Sequence, residues 1–269
     1  MRVLVLVCGV AAGCRFGFDA QSPSHDGAPD GDPIVVGHDE DRDGIDDGLD
    51  VCPHIADPGQ LDTDGDRVGD ACDPNPTSPI DHLVFFDGFV AQRSEWSLTG
   101  PAPTFDGEHL SSDTSGDQQL VLSLPATMSG TDRIAVAGRI VGSSAGQQLV
   151  ALGFGRVPLF PPMGTSTAAY YCEVCGGGPC GASPFFAFTF TNDNVMFTHL
   201  DLKPVPTLAP GSVAFTIDRT PTTLACDTSW PAVTQVGGAL PPAIDAVAIA
   251  LTMKNVVVSL DYVVQIHSD

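Results

Sequence analysis

The chain has 269 residues, long enough for one large or two modest domains. Its 33 Asp and Glu against 11 Lys and Arg give a formal net charge of −22, which excludes a nucleic-acid partner, because neutralising phosphates takes Lys and Arg. Half of that charge falls in residues 39–73, where 13 carboxylates meet only two Arg. Such a run repels itself unless a divalent cation reverses the local field.

The N-terminus has the form of an export signal. Met1-Arg2 is followed by a short apolar core, Val3 to Val10, and then by Ala11-Ala12-Gly13-Cys14. This last group resembles a bacterial lipobox, which implies a signal over residues 1–13 and a lipid on Cys14. An ordinary cleaved secretory signal is the other reading. Both send the mature protein out of the cytosol, to the cell envelope and outer surface or into the medium. No later apolar run reaches the ~18 residues a membrane span needs, so membrane contact is expected only through the lipid. Apart from Cys8 and Cys14, six cysteines remain: Cys52, Cys72, Cys172, Cys175, Cys180 and Cys226. An even number in an oxidising compartment favours disulfides. Residues 14–38, rich in Gly, Pro, Asp and Ser, read as a flexible tether with a reach of roughly 25–30 Å.

Residues 39–74 hold two acidic loops of one design. Asp39, Asp41, Asp43, Asp47 and Asp50 stand at positions 1, 3, 5, 9 and 12 of the first; Asp62, Asp64, Asp66, Asp70 and Asp73 repeat the spacing in the second. Calcium takes six to eight oxygens at about 2.3–2.6 Å, which a 12-residue loop can provide. The segment has too few apolar residues to offset an ordering cost of about 1–2 kcal/mol per residue, so it needs a metal or a disulfide to hold a shape. A helix-flanked calcium site is disfavoured, because Val51-Cys52-Pro53 and Pro74-Asn75-Pro76 follow the loops and Pro breaks helices.

The spacing of the carboxylates together with Cys52-Pro53, Asp57-Pro58-Gly59-Gln60 and Cys72-Asp73 closely resembles the thrombospondin type 3 repeat over residues 39–73. The resemblance implies Ca2+ bound along a chain with little regular secondary structure. Its ligands would be the ten aspartates above with the carbonyls of Ile45 and Val68. It also implies a Cys52–Cys72 disulfide. Arg67 departs from the pattern, since Gly is commoner at the sixth loop position.

Residues 75–81 read as a stiffer linker, and residues 82–269 as a β-domain. Strands are expected at 83–86, 118–124, 133–141, 147–154, 168–174, 185–191, 195–200, 212–218, 222–226, 246–252 and 256–266. Several alternate apolar and polar residues with period two. No helical stretch of three turns appears, so the fold class is mainly β, a jelly-roll sandwich preceded by the irregular calcium-binding segment. The opening Val84-Phe-Phe-Asp-Gly-Phe89, Trp96-Ser-Leu98 and Phe105-Asp-Gly-Glu-His-Leu110, with the closing Asp261-Tyr262-Val-Val-Gln-Ile266, are similar to the terminal strands of concanavalin-like domains. That resemblance implies a last strand paired beside the first, and binding of a glycan or protein.

Within this domain the residues favour Cys175–Cys180 and Cys172–Cys226 disulfides, with a four-thiolate zinc site as the alternative. Gly142-Ser-Ser-Ala-Gly146 matches a nucleophile elbow, but a strand follows where an elbow needs a helix, so it reads as a hairpin loop. His199 and Asp201 read as a surface ion pair. Trp96, Trp230, Tyr170 and Tyr171 read first as packing residues and secondarily as platforms for sugars. The expected function is non-enzymatic: an exported, lipid-anchored bacterial surface protein whose calcium-braced segment presents a β-sandwich for adhesion or ligand binding. The alternative is a secreted carbohydrate-active hydrolase.

Overall fold

The computed structural model describes residues 37–126, 130–155, 169–181, 183–191, 197–206, 208–229, 234–239 and 248–269. Cys14, the signal and most of the tether lie outside the described residues, as does Trp230.

Residues 37–80 contain turns and bends and no helix or strand. From Asp81 onward the described chain is strand after strand: β1 Asp81–Asp87, β2 Ser97–Thr99, β3 Thr104–Phe105, β4 Leu110–Asp113, β5 Gln119–Pro125, β6 Thr131–Ser143, β7 Gln148–Gly155, β8 Ala169–Gly176, β9 Phe185–Thr191, β10 Phe197–Pro204, β11 Gly211–Arg219, β12 Thr223–Thr228, β13 Thr234–Ala239, β14 Ala248–Lys254 and β15 Val256–Ser268. The one helical element among them is a 3-10 turn at Gly178–Cys180.

Two antiparallel sheets form a sandwich. One has eight strands in the order β13-β12-β11-β6-β15-β4-β3, with β1 also paired to β15; the other has seven, in the order β10-β9-β8-β7-β14-β5-β2. The closing strand β15 runs beside the opening strand β1 from Asp81↔Ser268 to Asp87↔Val263, as the resemblance implied. In β11, alternation aims Val213, Phe215 and Ile217 into the interior. Every residue of β14 from Ala248 to Met253 is buried instead. It lies between β5 and β7, and Val121 and Tyr171 cover its outer side. Phe186 of one sheet meets Phe215 of the other at 6.1 Å.

Cys172 on β8 is bonded to Cys226 on β12, so this disulfide crosses the sandwich from sheet to sheet, with Cα atoms 5.6 Å apart. Closing a loop of 54 residues contributes about 4 kcal/mol in the chain-entropy account. Cys175 and Cys180 pair locally around the 3-10 turn. These pairings use up all four thiols that a zinc site would have needed.

Two expectations change. Gly142–Gly146 is not a hairpin, because β6 and β7 belong to different sheets; the loop crosses the sandwich edge. There Ser144 Oγ donates to Asn255 Oδ1 at 3.1 Å, which occupies the hydroxyl in a loop contact. Asn255 makes the parallel crossing from β14 to β15 in a left-handed conformation (φ 53°) and is fully buried. Asp201 accepts the main-chain N–H groups of Leu202 and Gly237; the side chain of His199, and with it the expected ion pair, lies outside the described residues. Second, β2, β3, β4 and β13 are missing from the strands expected on alternation, although the concanavalin-like resemblance touched the first three. They are short, and β13 (Thr-Gln-Val-Gly-Gly-Ala) has two Gly that weaken a strand signal.

Candidate metal centre

The two acidic loops share one hydrogen-bonded frame. In the first, Asp39 accepts the N–H groups of Asp43 (3.2 Å) and Gly44 (2.9 Å), and Asp41 also accepts Asp43 N–H (3.1 Å). In the second, Asp62 accepts Gly65 (2.7 Å) and Arg67 (3.0 Å), and Asp64 accepts Asp66 (3.3 Å). The position-5 carboxylates match atom for atom. Asp43 takes Ile45 N–H on Oδ1 and Asp57 N–H on Oδ2, both at 2.8 Å. Asp66 takes Val68 N–H on Oδ1 (2.9 Å) and Asp81 N–H on Oδ2 (2.8 Å).

Each loop also holds two residues in the left-handed region, at positions 4 and 6. In the first these are Arg42 (φ 64°) and Gly44 (φ 96°); in the second, Gly65 (φ 84°) and Arg67 (φ 78°). Gly and Arg have exchanged places. Arg67 therefore carries a backbone cost at position 6 that Gly44 avoids, and the second loop still closes on the same frame.

Three carboxylates of each loop lie close together. One ligand atom each from Asp39, Asp41 and Asp43 lies within 4.8 Å of the others, and so do atoms of Asp62, Asp64 and Asp66. At position 3 of both loops one oxygen, Asp41 Oδ2 and Asp64 Oδ2, is buried and accepts no hydrogen bond. Buried acceptors without a partner are costly, and two at matched positions fit an oxygen-seeking cation. Burial followed by the neighbouring charges of Asp50, Asp43 and Asp39 raises the Asp41 carboxyl to about 6. Burial does the same for Asp50 in direction. A divalent ion reverses that repulsion.

Asp47 and Asp70, at position 9, lie outside both triads. Each braces the start of its own loop: Asp47 accepts Glu40 N–H at 2.9 Å and meets His38 Nδ1 at 2.7 Å, while Asp70 accepts the N–H (2.7 Å) and hydroxyl (2.6 Å) of Thr63. His38 was read as tether, yet it is buried at 6 % exposure under the first loop. Asp50 accepts Cys52 N–H and Gln60 Nε2–H, both at 2.7 Å.

The loops rest on the sandwich. Cys52 and Cys72 are bonded and pack with Val68 against Ala135, Val264 and Ile266 on the outer side of the eight-stranded sheet. His54 lies over the ring of Tyr262 at 5.1 Å; burial, and secondarily Arg133, lowers its imidazole to about 4. The linker at residues 75–81 is drawn into this contact, since Asn75 Nδ2 donates to Asp81 at 3.0 Å. Asp81 brings a third group together. Its carboxylate, that of Asp66 and that of Asp73 each place an atom within 4.8 Å of the others. The sequence signal for Asp81 was its distance from Asp66, close to that of Asp57 from Asp43, but it fell in a stretch read as linker.

Residues 35–60 match the family model of the thrombospondin type 3 repeat. This segment is a thrombospondin type 3 repeat. The match ends before the second loop, whose hydrogen-bonded frame is similar to that of the first. A comparison with curated protein sequences finds no match. Among solved structures, the chain is similar to winged bean acidic lectin complexed with methyl-α-D-galactose (TM-score 0.52, 12 % identity, 70 % of this chain and 98 % of that one). It is also similar to the exoplasmic/lumenal domain of VIP36 in its metal-free form (TM-score 0.50, 9 % identity, 66 % and 88 %). The same domain in a Ca2+/Man-bound form matches at TM-score 0.50 and 9 % identity, over 65 % and 83 %. At such identities the likeness is one of fold: after the repeat comes a legume-lectin-like β-sandwich.

Three of the four aromatic side chains lie among the described residues and are packing residues, Trp96 and Tyr170 in the interior and Tyr171 on the outer side of β14. Trp96 is 7 % exposed and donates Nε1–H to Asp87 at 2.9 Å. Tyr170 and Tyr171 are each 2 % exposed.

Proposed function

We propose that this is an exported glycan-binding protein in which calcium orders the type 3 repeat and the repeat braces a lectin-like sandwich. The observation that carries the calcium reading is the pair of buried, partnerless oxygens at position 3 of both loops. Each stands in a triad of carboxylates. Ca2+ would be held by Asp39, Asp41, Asp43 and Asp50 with the Ile45 carbonyl, and by Asp62, Asp64 and Asp66 with the Val68 carbonyl. The ion supplies positive charge and no chemistry on a substrate. Asp47 and Asp70 act as braces that set the loop entrance.

The glycan reading is supported by the sandwich fold and by its likeness to structures holding methyl-α-D-galactose and mannose. Sugar binding here is a matter of surface recognition, so no residue is assigned a catalytic role. Export, with Cys14 as a lipid anchor to the bacterial envelope, agrees with three disulfides formed in an oxidising compartment. Adhesion to glycans outside the cell is the role this arrangement would serve.

The test is a glycan array probed with the full mature chain in calcium and again in chelator, beside a panel of polysaccharide substrates. Calcium-dependent retention on a defined sugar class without turnover supports the proposal. Turnover of a polysaccharide, or no retention on any glycan, overturns it.

A further inference from the structure

Where the first loop meets the sandwich, a group of side chains includes a buried nitrogen. His38 is 6 % exposed. Its Nδ1 stands 2.7 Å from Asp47 Oδ2; a carboxylate there holds the ring proton on Nδ1 and leaves Nε2 with a free lone pair. Nε2 is buried and has no hydrogen-bond partner among the described residues. It faces two carboxylates, Glu40 Oε2 at 3.7 Å and Glu108 Oε2 at 4.0 Å, and both gaps are too wide for a hydrogen bond. Gly88, between β1 and β2, walls the group on the sandwich side. A Cβ there would stand 2.9 Å from His38 Cε1 and 3.2 Å from Glu40 Oε2. Burial raises the Glu40 carboxyl, as do the like charges of Asp261, Asp47 and Glu108, and Arg42 offsets them in part. A lone pair and two carboxylates that face one another without touching call for a cation between them.

We propose that His38, Glu40 and Glu108 bind a divalent transition-metal ion of the zinc class, at a site separate from the calcium loops. Two bonds of about 2.0–2.2 Å from one ion span up to about 4.2 Å, so an ion can reach Nε2 and a carboxylate oxygen across each gap. Glu108 stands on the turn between β3 and β4 with its side chain 56 % exposed, which leaves it room to close on the ion. Asp47, behind His38, is the carboxylate that orients a metal-binding imidazole. An imidazole nitrogen among the donors favours zinc over calcium, which takes oxygens. His38 and Glu40 come from the entrance of the first loop and Glu108 from the sandwich, so the ion fastens that entrance to the β3–β4 turn. The site stands whether or not the sandwich binds glycans.

The experiment titrates Co2+, which stands in for zinc and absorbs visible light when bound, into the full mature chain in excess Ca2+. Equilibrium dialysis counts Zn2+ and Ca2+ on the same samples. The expected result is a single Co2+ displaced by Zn2+. Binding is lost in His38→Gln and weakened on the order of 10–100-fold in Glu108→Gln, the range that loss of even an outer partner of a metal ligand produces. A wild type that holds neither Co2+ nor Zn2+ in excess Ca2+ overturns the proposal. Unchanged affinity in a folded His38→Gln or Glu108→Gln overturns it too, because the ion then sits elsewhere. If His38→Gln fails to fold, Glu108→Gln, on its exposed turn, is put to the same titration with the same two outcomes. Both variants keep the wild-type Ca2+ count; loss of Ca2+ together with Co2+ would place the effect in the loops and overturn the separate site.

Discussion

Asp66 Oδ2 accepts the main-chain N–H of Asp81 at 2.8 Å, as Asp43 Oδ2 accepts that of Asp57. The first loop thus hands its position-5 carboxylate on to the next stretch of the repeat, and the second hands its own to the sandwich. Through this substitution of partners an irregular acidic segment ends on a folded domain without a break. It also means that whatever orders the loops is felt at β1.

Removal of calcium therefore has two consequences. Residues 39–73 become the first sites of proteolysis, while most of the β-spectrum persists. The sandwich also melts earlier, because its outer face at Ala135, Val264 and Ile266 loses the Cys52–Cys72 cover. An ion held at 100 times its Kd stabilises by about 3 kcal/mol per site, and each kcal/mol shifts Tm by about 2–4 °C in a domain of this size. Limited proteolysis and thermal melts with and without chelator measure both effects. An identical cleavage pattern would remove the basis for this expectation.

His54 makes the contact with Tyr262 sensitive to acid. Its imidazole is lowered to about 4 in the fold and returns to about 6.5 when unfolded. The unfolded chain thus binds more protons, and stability is lost as pH falls from about 6.5 toward 4. Replacing His54 with Phe keeps the ring on Tyr262 and removes the proton. The stability gap between His54→Phe and wild type should widen by about 2–3 kcal/mol over that window, read by denaturant melts at pH 7.5 and 4.5. A gap that does not change with pH would show that His54 stays neutral for another reason.

Glu173 has the opposite sign. Burial raises its carboxyl to about 7 in spite of the Thr189 hydroxyl that donates to it. Here the folded chain binds more protons, so the favourable contribution is complete below about 4.5 and is lost as pH rises through about 7. Glu173→Gln should match wild type near pH 4.5 and exceed it at pH 8 by on the order of 3 kcal/mol. Melts at the two pH values give the comparison.

Gly69 sets how closely the cystine can approach the repeat. A Cβ there would stand 2.8 Å from Cys52 Sγ and 2.5 Å from Val51 Cγ2. Val51 can turn aside, but the sulfur is held by Cys72. Gly69→Ala should cost about 1–3 kcal/mol as an overpacked position and expose the segment to protease in calcium. Equal protease resistance would show that the cystine has room to shift.

Much of this protein is written in local pattern. The 1-3-5-9-12 spacing sets the loop frame because most of these bonds run from a carboxylate to main-chain groups two to seven residues away, and such bonds need no tertiary partner. Period-two alternation likewise marks β6, β11 and β15, whose inward residues are large and apolar. The pattern fails where length or composition removes it, at two-residue β3 and at Gly-containing β13. Spacing does not set whether Asp47 and Asp70 face an ion or the loop entrance, because that depends on three-dimensional closure. Pairing of the strands, the crossing of Gly142–Gly146 between sheets, and the seat of Cys52–Cys72 on the outer face of the eight-stranded sheet were decided by tertiary structure alone. Each depends on contacts between residues far apart in the chain. The nearness of Asp81 to Asp66 and Asp73 is of this kind, because β1 takes its place only when β15, from the far end of the described chain, pairs beside it.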